Sequence, residues 1–330
     1  MVTRLSARTA IRVGVVVTCG LLAGLLIAPA TIAADPPAAW QATAGASTRN
    51  EAVQANSFLP RQLSVDVGDS ITWTVGSGEF HTITFLSGAA APPFVIITPS
   101  GPQPNPAAVA PSGGPTYDGT GIANSGLLFK GQQFTLGFTK AGHYGFLCLV
   151  HAGMAGTVDV RDAGTPYPSS QRAYDVASRV TANRLLASGR RLEARTLATA
   201  RHSRTVAAGA GASTGAWGSL AVMRFLPSKS VIHTGDSVTW INHDPETPHT
   251  ITFGTEPAGG PFGAFAPSGL DGPGHATLGS PDSSVNSGFT GADFPFGTTF
   301  AATFTAPGRY HFICALHDDL GMTGTIVVLP

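Results

Sequence analysis

The stretch GHYGFLCLVHAGM, residues 142–154, and its counterpart GRYHFICALHDDLGM, residues 308–322, decide the fold. Ahead of each cysteine, aromatic residues stand at every second position: Tyr144 and Phe146 before Cys148, and Tyr310 and Phe312 before Cys314. Side chains alternate between the two faces of a strand, so each triplet shares one face, and its apolar character makes that face the core side. Each cysteine therefore stands at the end of a core strand. The residues that follow turn back across the end of the domain and carry His151 and Met154, or His317 and Met322, toward the cysteine.

Outward from these stretches the chain repeats itself. Gly45-Ala-Ser-Thr48 recurs as Gly211-Ala-Ser-Thr214, Phe58-Leu59-Pro60 as Phe225-Leu226-Pro227, and GDSITW at 68–73 as GDSVTW at 235–240. HTITF at 81–85 recurs at 249–253, NSG at 124–126 recurs at 286–288, and GTVDV at 156–160 becomes GTIVV at 324–328. The offset stays near 167 (235 − 68) at most anchors and falls to 162 (286 − 124) inside a glycine-rich insert. This is one domain duplicated in tandem, and two copies are too few for a solenoid.

Each copy reads as strands. QLSVDVGDSITWTV and SVIHTGDSVTWIN alternate around a Gly-Asp turn, HTITF is a short strand, and QQFTLGFTKAGHYGFLCLVH is two strands joined at Lys-Ala-Gly. The composition agrees: 41 glycines and 25 prolines among 330 residues, with only 12% charged, suit short strands and turns and argue against a helical bundle. Inserts rich in Gly, Pro, Ala and Ser separate the histidine of HTITF from the cysteine by 67 residues (148 − 81) and 65 residues (314 − 249), and read as irregular loops with one or two short strands. The expected organisation is a domain over 45–161, a linker over 162–210 and a second domain over 211–330. The linker is proline-free from Gln171 onward and rich in Ala, Arg and Leu. It predicts one or two helices, with a start capped by Ser169 or Ser170 and an interruption at Gly189.

The formal net charge of zero hides an asymmetry. Residues 165–210 hold eight arginines against Asp175 and Glu193, a balance of +6, and the presumed domains are acidic. The segment is either a soluble spacer or an electrostatic contact, to the acidic domains or to an anionic membrane or cell surface. Nothing resembles a nucleic-acid-binding surface. Residues 1–34 carry Arg4, Arg8 and Arg12, an apolar run from Val13 to Ala28, and small residues up to Ala33-Ala34. That order is a secretory signal peptide, cleaved after Ala33 or Ala34; an uncleaved anchor at a membrane is the rival reading. The chain is thus expected to be exported. Two cysteines in an exported chain invite a disulfide, but Cys148 and Cys314 occupy equivalent places in the two repeats, and a disulfide would discard both patterns.

The two copies carry the same four residues in the same order: His81, Cys148, His151, Met154, then His249, Cys314, His317, Met322. Two imidazoles, a thiolate and a thioether are the ligands of a mononuclear blue-copper site. Thiolate and thioether favour Cu(I) and imidazole serves both oxidation states, so a rigid frame holding this set suits one-electron cycling. Structural zinc prefers several Cys or His and rarely uses Met.

On these motifs both copies resemble cupredoxins, the plastocyanin-like blue-copper family. CLVHAGM is similar to the shorter Cys-x2-His-x2-Met loop of amicyanin, and CALHDDLGM to the Cys-x2-His-x4-Met loop of plastocyanin. The resemblance spans about 55–161 and 222–330. It implies two Greek-key β-sandwiches, each with one copper, joined by a partly helical linker. It makes His81 and His249 the upstream ligands, Cys148 and Cys314 the thiolates, His151 and His317 the second imidazoles near the surface as electron ports, and Met154 and Met322 axial. One departure is Val75, which stands where the second copy has Asn242, so the loop before His81 is built differently.

Multidomain relatives include oxidases and nitrite reductases, which need further histidines. No His-x-His occurs here, and Leu147, Leu149, Ile313 and Ala315 flank the cysteines where those enzymes place a histidine. His143, His202, His233, His243, His275 and His311 are left over, without an evident second centre. Acid–base hydrolysis has no evident support either. The expected function is one-electron transfer with a redox partner protein and no enzymatic activity. Copper storage or delivery, an oxidoreductase with an unrecognised second centre, and a structural module with empty sites are the alternatives.

Overall fold

In a computed structural model of the chain, the described residues are 36–330 apart from 99–100, 204 and 216–217. The expected signal peptide lies outside them. The first copy contributes β1 (Ala39–Ser47), β2 (Val53–Leu59), β3 (Gln62–Asp66), β4 (Ser70–Val75), β5 (Thr84–Phe85), β6 (Val95–Thr98), β7 (Gly101–Pro104), β8 (Thr116–Tyr117), β9 (Ala123–Asn124), β10 (Gln133–Phe138), β11 (Gly142–Leu147) and β12 (Ala155–Arg161), with a single helical turn α1 (Pro106–Val109) in the insert. After helix α2 (Gln171–Ser203), the second copy contributes β13 (Val206–Ser213), β14 (Ser219–Leu226), β15 (Lys229–His233), β16 (Ser237–His243), β17 (Thr252–Phe253), β18 (His275–Leu278), β19 (Val285–Asn286), β20 (Thr299–Phe304), β21 (Gly308–Ile313) and β22 (Thr323–Leu329).

The chain changes sheets at each predicted turn. β3 and β4 flank Gly68-Asp69 but lie in opposite sheets, as do β10 and β11 on either side of Lys140-Ala141. Asp69 holds the first crossing: its buried carboxylate accepts from Ala38 N at 2.7 Å, Trp40 Nε1 at 3.0 Å and Asp66 N at 2.9 Å. Two five-stranded sheets result, β3-β12-β11-β5-β9 and β15-β22-β21-β17-β19, each facing half of a ten-stranded sheet. Aromatic residues at matching positions fill the two cores: Phe58, Trp73, Phe85, Phe146 in one, Phe225, Trp240, Phe253, Phe312 in the other. Each such fully buried side chain contributes about 1.5–3 kcal/mol.

The ten-stranded sheet runs β18-β20-β16-β13-β14-β2-β1-β4-β10-β8, so the two domains share one sheet. The seam is the antiparallel pair β14–β2, with Ser219 opposite Asn56 and Val222 opposite Val53. All seven residues of β2 are buried, including Gln54 and Asn56.

Helix α2 lies over this seam. Leu185 packs with Ala55 and Leu220, while Ala200 packs with Ala207, Val222 and Leu226. It is one uninterrupted helix of 33 residues, where a break at Gly189 was expected. The glycine instead marks close approach, since a Cβ there would collide with Val53 Cγ1. Ser170 caps the start, its Oγ accepting from Ala173 N at 3.3 Å. The linker is therefore part of the packed body along one face and not a solvated spacer. Among the described residues, no helix is long and apolar enough to cross a membrane.

The structure also corrects one anchor of the repeat. Ala44 pairs with Phe58 and Ala208 with Phe225, and each strand bulges at the next residue, Gly45 or Gly209. Gly45 thus corresponds to Gly209, two residues before the Gly211 that sequence similarity selected. Both have positive φ, 74° and 78°, and both press against the upstream histidine ring, leaving no room for a Cβ beside His81 Nε2 or His249 Nε2.

Candidate metal centres

His81 and His249 are fixed through their backbones at one end of each sandwich. His81 pairs with Leu128 in an isolated bridge, N to O at 3.0 Å and O to N at 2.9 Å; His249 does the same with Thr290 at 3.1 and 2.8 Å. The short segment that leads from each histidine into β5 or β17 brings the next residue's amide onto the cysteine. Thr82 N donates to Cys148 Sγ at 3.4 Å and Thr250 N to Cys314 Sγ at 3.3 Å. The threonine hydroxyls accept from the residue after the cysteine, Leu149 N and Ala315 N, both at 2.8 Å.

The loops after the cysteines close on themselves. Cys148 N donates to Met154 O at 2.9 Å and Met154 N to His151 O at 3.2 Å. In the longer second loop Cys314 N reaches Met322 O at 3.0 Å and Met322 N reaches His317 O at 3.0 Å. The two extra residues are taken up in a turn in which Gly321 N donates to Asp318 O at 2.8 Å. Met154 and Met322 are buried in the same core clusters as Cys148 and Cys314.

The donor atoms converge. In the first copy His81 Nδ1 and His151 Nδ1 are 3.1 Å apart and lie 3.8 and 3.7 Å from Cys148 Sγ. In the second, His249 Nδ1 and His317 Nδ1 are 3.2 Å apart and lie 3.7 and 3.4 Å from Cys314 Sγ. Both cysteines are free and buried, which disposes of the disulfide alternative. Burial alone would raise a thiol's pKa, but the neighbouring imidazoles hold Cys148 well below its ordinary value and bring Cys314 to about 5. Burial likewise opposes charge on His151, yet Cys148 and Glu79 carry it up to about 10. His317 is raised well above the ordinary imidazole value by Glu79 and Cys314, against its burial.

Glu79 was not singled out in the sequence. It precedes His81 by two residues, and its carboxylate lies between the two copies: Oε2 is 3.4 Å from His151 Nε2 and Oε1 is 3.2 Å from His317 Nε2. All three side chains are only 4–5% exposed. Burial would raise the carboxyl's pKa, but the two imidazoles hold it well below the usual range. The surface position that the resemblance implied for His151 and His317 is therefore corrected: both are buried at the joint between domains.

The loops before the upstream histidines differ as the Val75–Asn242 contrast predicts. Asn242 Nδ2 donates to Thr247 O at 3.0 Å and Thr290 O at 2.8 Å, and its Oδ1 accepts from Asp244 N at 2.7 Å. In the first copy Gln54 Oε1 accepts from Gly78 N at 2.9 Å instead. The repeated NSG also acquires a role. Asn124 and Asn286 each accept from a threonine hydroxyl, Thr84 at 2.8 Å or Thr252 at 2.9 Å, and donate to two carbonyls of the insert. Ser125 and Ser287 accept from Ile83 N and Ile251 N, each at 2.9 Å. Recurrence was the only signal for these residues.

The six other histidines do not join either centre. His143, His202, His233, His243 and His311 are exposed, and half-buried His275 pairs with Asp271 at 2.6 Å. Among the described residues, the groups of three or more His, Cys, Asp or Glu able to hold an ion are His81-Cys148-His151 and His249-Cys314-His317.

A two-sheet sandwich that brings two imidazole Nδ1 atoms and a cysteine sulfur together at one end is a cupredoxin, and this chain contains two. The profile of the copper-binding proteins of the plastocyanin/azurin family matches residues 47–161 and 213–329, and the chain belongs to that family. Copper is the family's metal, and each domain has one His-Cys-His group fit to hold an ion. Similar solved structures include an oxidised amicyanin variant, 24% identical over 31% of this chain and 70% of that one, with a TM-score of 0.21. A reduced amicyanin variant is 21% identical over 39% and 87%, with a TM-score of 0.24. The purple cupredoxin of Nitrosopumilus maritimus is 21% identical over 37% and 98%, with a TM-score of 0.23.

Proposed function

We propose that the protein is an exported electron carrier with two blue-copper sites. His81, Cys148 and His151 hold the first ion with Met154 axial; His249, Cys314 and His317 hold the second with Met322 axial. The observation that carries this reading is the donor set. In each domain, two imidazole nitrogens and a thiol whose pKa is lowered lie within 4.8 Å of one another in a buried site. Bound copper supplies a one-electron couple, and a weak axial thioether with a strong thiolate is the ligand balance of blue-copper electron transfer. The chain's own part is to hold that set still. The threonine amides fix the sulfurs, the backbone bridges fix the upstream histidines, and the closed loops fix the downstream ones.

Export rests on the charged, apolar and small-residue order of residues 1–34, and a redox partner protein would take up the electrons. The missing His-x-His supports a carrier in preference to an oxidase. Voltammetry of the copper-loaded protein tests the reading. Two reversible one-electron waves are expected, and bound copper without a reversible wave would leave storage or delivery as the function.

A further inference from the structure

Glu79 belongs to the first domain and touches a ligand histidine of each. His151 and His317 turn Nδ1 toward their own cysteine sulfurs, at 3.7 and 3.4 Å, and Nε2 toward this one carboxylate, at 3.4 and 3.2 Å. A histidine that binds metal through Nδ1 keeps its proton on Nε2, so both rings donate, one to each carboxylate oxygen. A carboxylate on a ligating histidine fixes its tautomer and ring orientation. Here one carboxylate does so for two sites. Among the described residues the second copy offers no return contact of this kind: Thr247 stands two residues before His249 where Glu79 stands two before His81.

The contact is built in. Phe80, next in sequence, packs on Phe262 of the second domain with ring centroids 6.4 Å apart. Arg224 of the second domain donates to Leu320 O at 2.7 Å and also to Asn50 O of the first, clamping the loop that carries His317. Neither imidazole edge is open to an outside partner.

We propose that His151–Glu79–His317 is an internal electron path that makes the two copper sites one coupled pair. This rests on the copper ligation proposed above. One electron moves in each event: copper at His151 is oxidised from Cu(I) to Cu(II) while copper at His317 is reduced from Cu(II) to Cu(I), or the reverse. Both Nε2–H protons stay in place, and no bond is made or broken. The path consists of two imidazole–carboxylate contacts, at 3.4 and 3.2 Å, and one carboxyl group, shielded from water.

The test is pulsed reduction of the fully cupric protein with less than one electron per chain, followed in the visible bands. The wild type should show a slow redistribution between the two bands whose rate does not depend on protein concentration. Glu79→Leu removes both acceptors, and Glu79→Gln leaves one imidazole facing an amide N–H. Each should slow that phase by about tenfold or more, the order of the loss in activity when a carboxylate behind a ligating histidine is removed. Both blue bands should survive. Leu185→Ala loosens the same seam, where Leu185 packs on Ala55 and Leu220, without touching the bridge or the ligand loops, and should transfer at nearly the wild-type rate. Unslowed transfer in both Glu79 variants, or equal slowing in Leu185→Ala, would overturn the path and leave the copper assignment standing. A wild type without blue bands would overturn both. Nuclear magnetic resonance of the cuprous wild type needs no variant: the Nε2–H signals of His151 and His317 should be protected from solvent exchange, and rapid exchange of either one would overturn the bridge.

Discussion

Ser77 Oγ lies 2.7 Å from His81 Nε2, and both residues are fully buried. The hydroxyl holds the outer nitrogen of an upstream histidine whose inner nitrogen faces Cys148. Ser77→Ala leaves that buried nitrogen without a partner, a cost of about 1–3 kcal/mol. Copper affinity at the first site should fall by about 10- to 100-fold, with the second site unchanged. Chelator titration read at the two visible bands checks this, and an equal loss at both sites would contradict it.

Asp244 occupies the matching loop position in the second copy. Ser77 follows Val75 by two residues, as Asp244 follows Asn242. Asp244 is 4% exposed, burial raises its pKa, and its Oδ2 and His249 Nε2 are both without a hydrogen-bond partner among the described residues. A buried carboxylate near the second site favours the more positive cupric state. Asp244→Asn should therefore raise that site's reduction potential, by about 59 mV for each tenfold change in relative affinity for the two copper states. Potentiometric titration of the second band measures it, and a lowered potential would contradict the account.

Gly189→Ala separates helix propensity from packing. In an exposed helix the change stabilises by about 0.8–1.0 kcal/mol. Here the new methyl would meet Val53 Cγ1 on β2, and overpacking costs about 1–3 kcal/mol. The clash should win, so the denaturant midpoint should fall. A rise would mean that α2 does not press on the seam.

The sulfur sites also predict a pH response in protein stripped of metal. The Cys314 thiol is brought from an ordinary value of 9.0 to about 5 by His317 and His249 despite its burial. Unfolding removes those partners, so the stability this thiolate contributes is complete above about 9 and is lost as pH falls through about 5. Ultraviolet thiolate absorption of the folded, metal-free protein should persist well below neutrality. Its disappearance near pH 9 would show that the imidazoles do not face the sulfur.

Both cores were legible from alternation. Phe146 and Cys148, and Phe312 and Cys314, lie on the buried face that period-two patterning assigns them. The convergence of His81 on Cys148 could be read because the same four residues recur in the same order. Contacts between the copies could not. Glu79 meets His317 across 238 positions (317 − 79), and no local pattern encodes how two domains dock. β2 carries a faint sign of the seam, since Gln54 and Asn56 are polar and wholly buried, but polar residues at alternate positions do not by themselves reveal burial. Gly189 was misread for a related reason. A glycine inside a helix pattern looks like a break unless the surface it lies against is known.

The proposed ligation has each domain hold one copper through its own cysteine. A copper count with a visible spectrum on the purified protein tests it most directly, together with Cys148→Ser and Cys314→Ser. Two coppers per chain and an intense blue absorption are expected, with each variant keeping one copper in blue form and losing the other domain's share of the band. A protein that binds copper without blue absorption, or one whose whole band vanishes with a single cysteine, would contradict it.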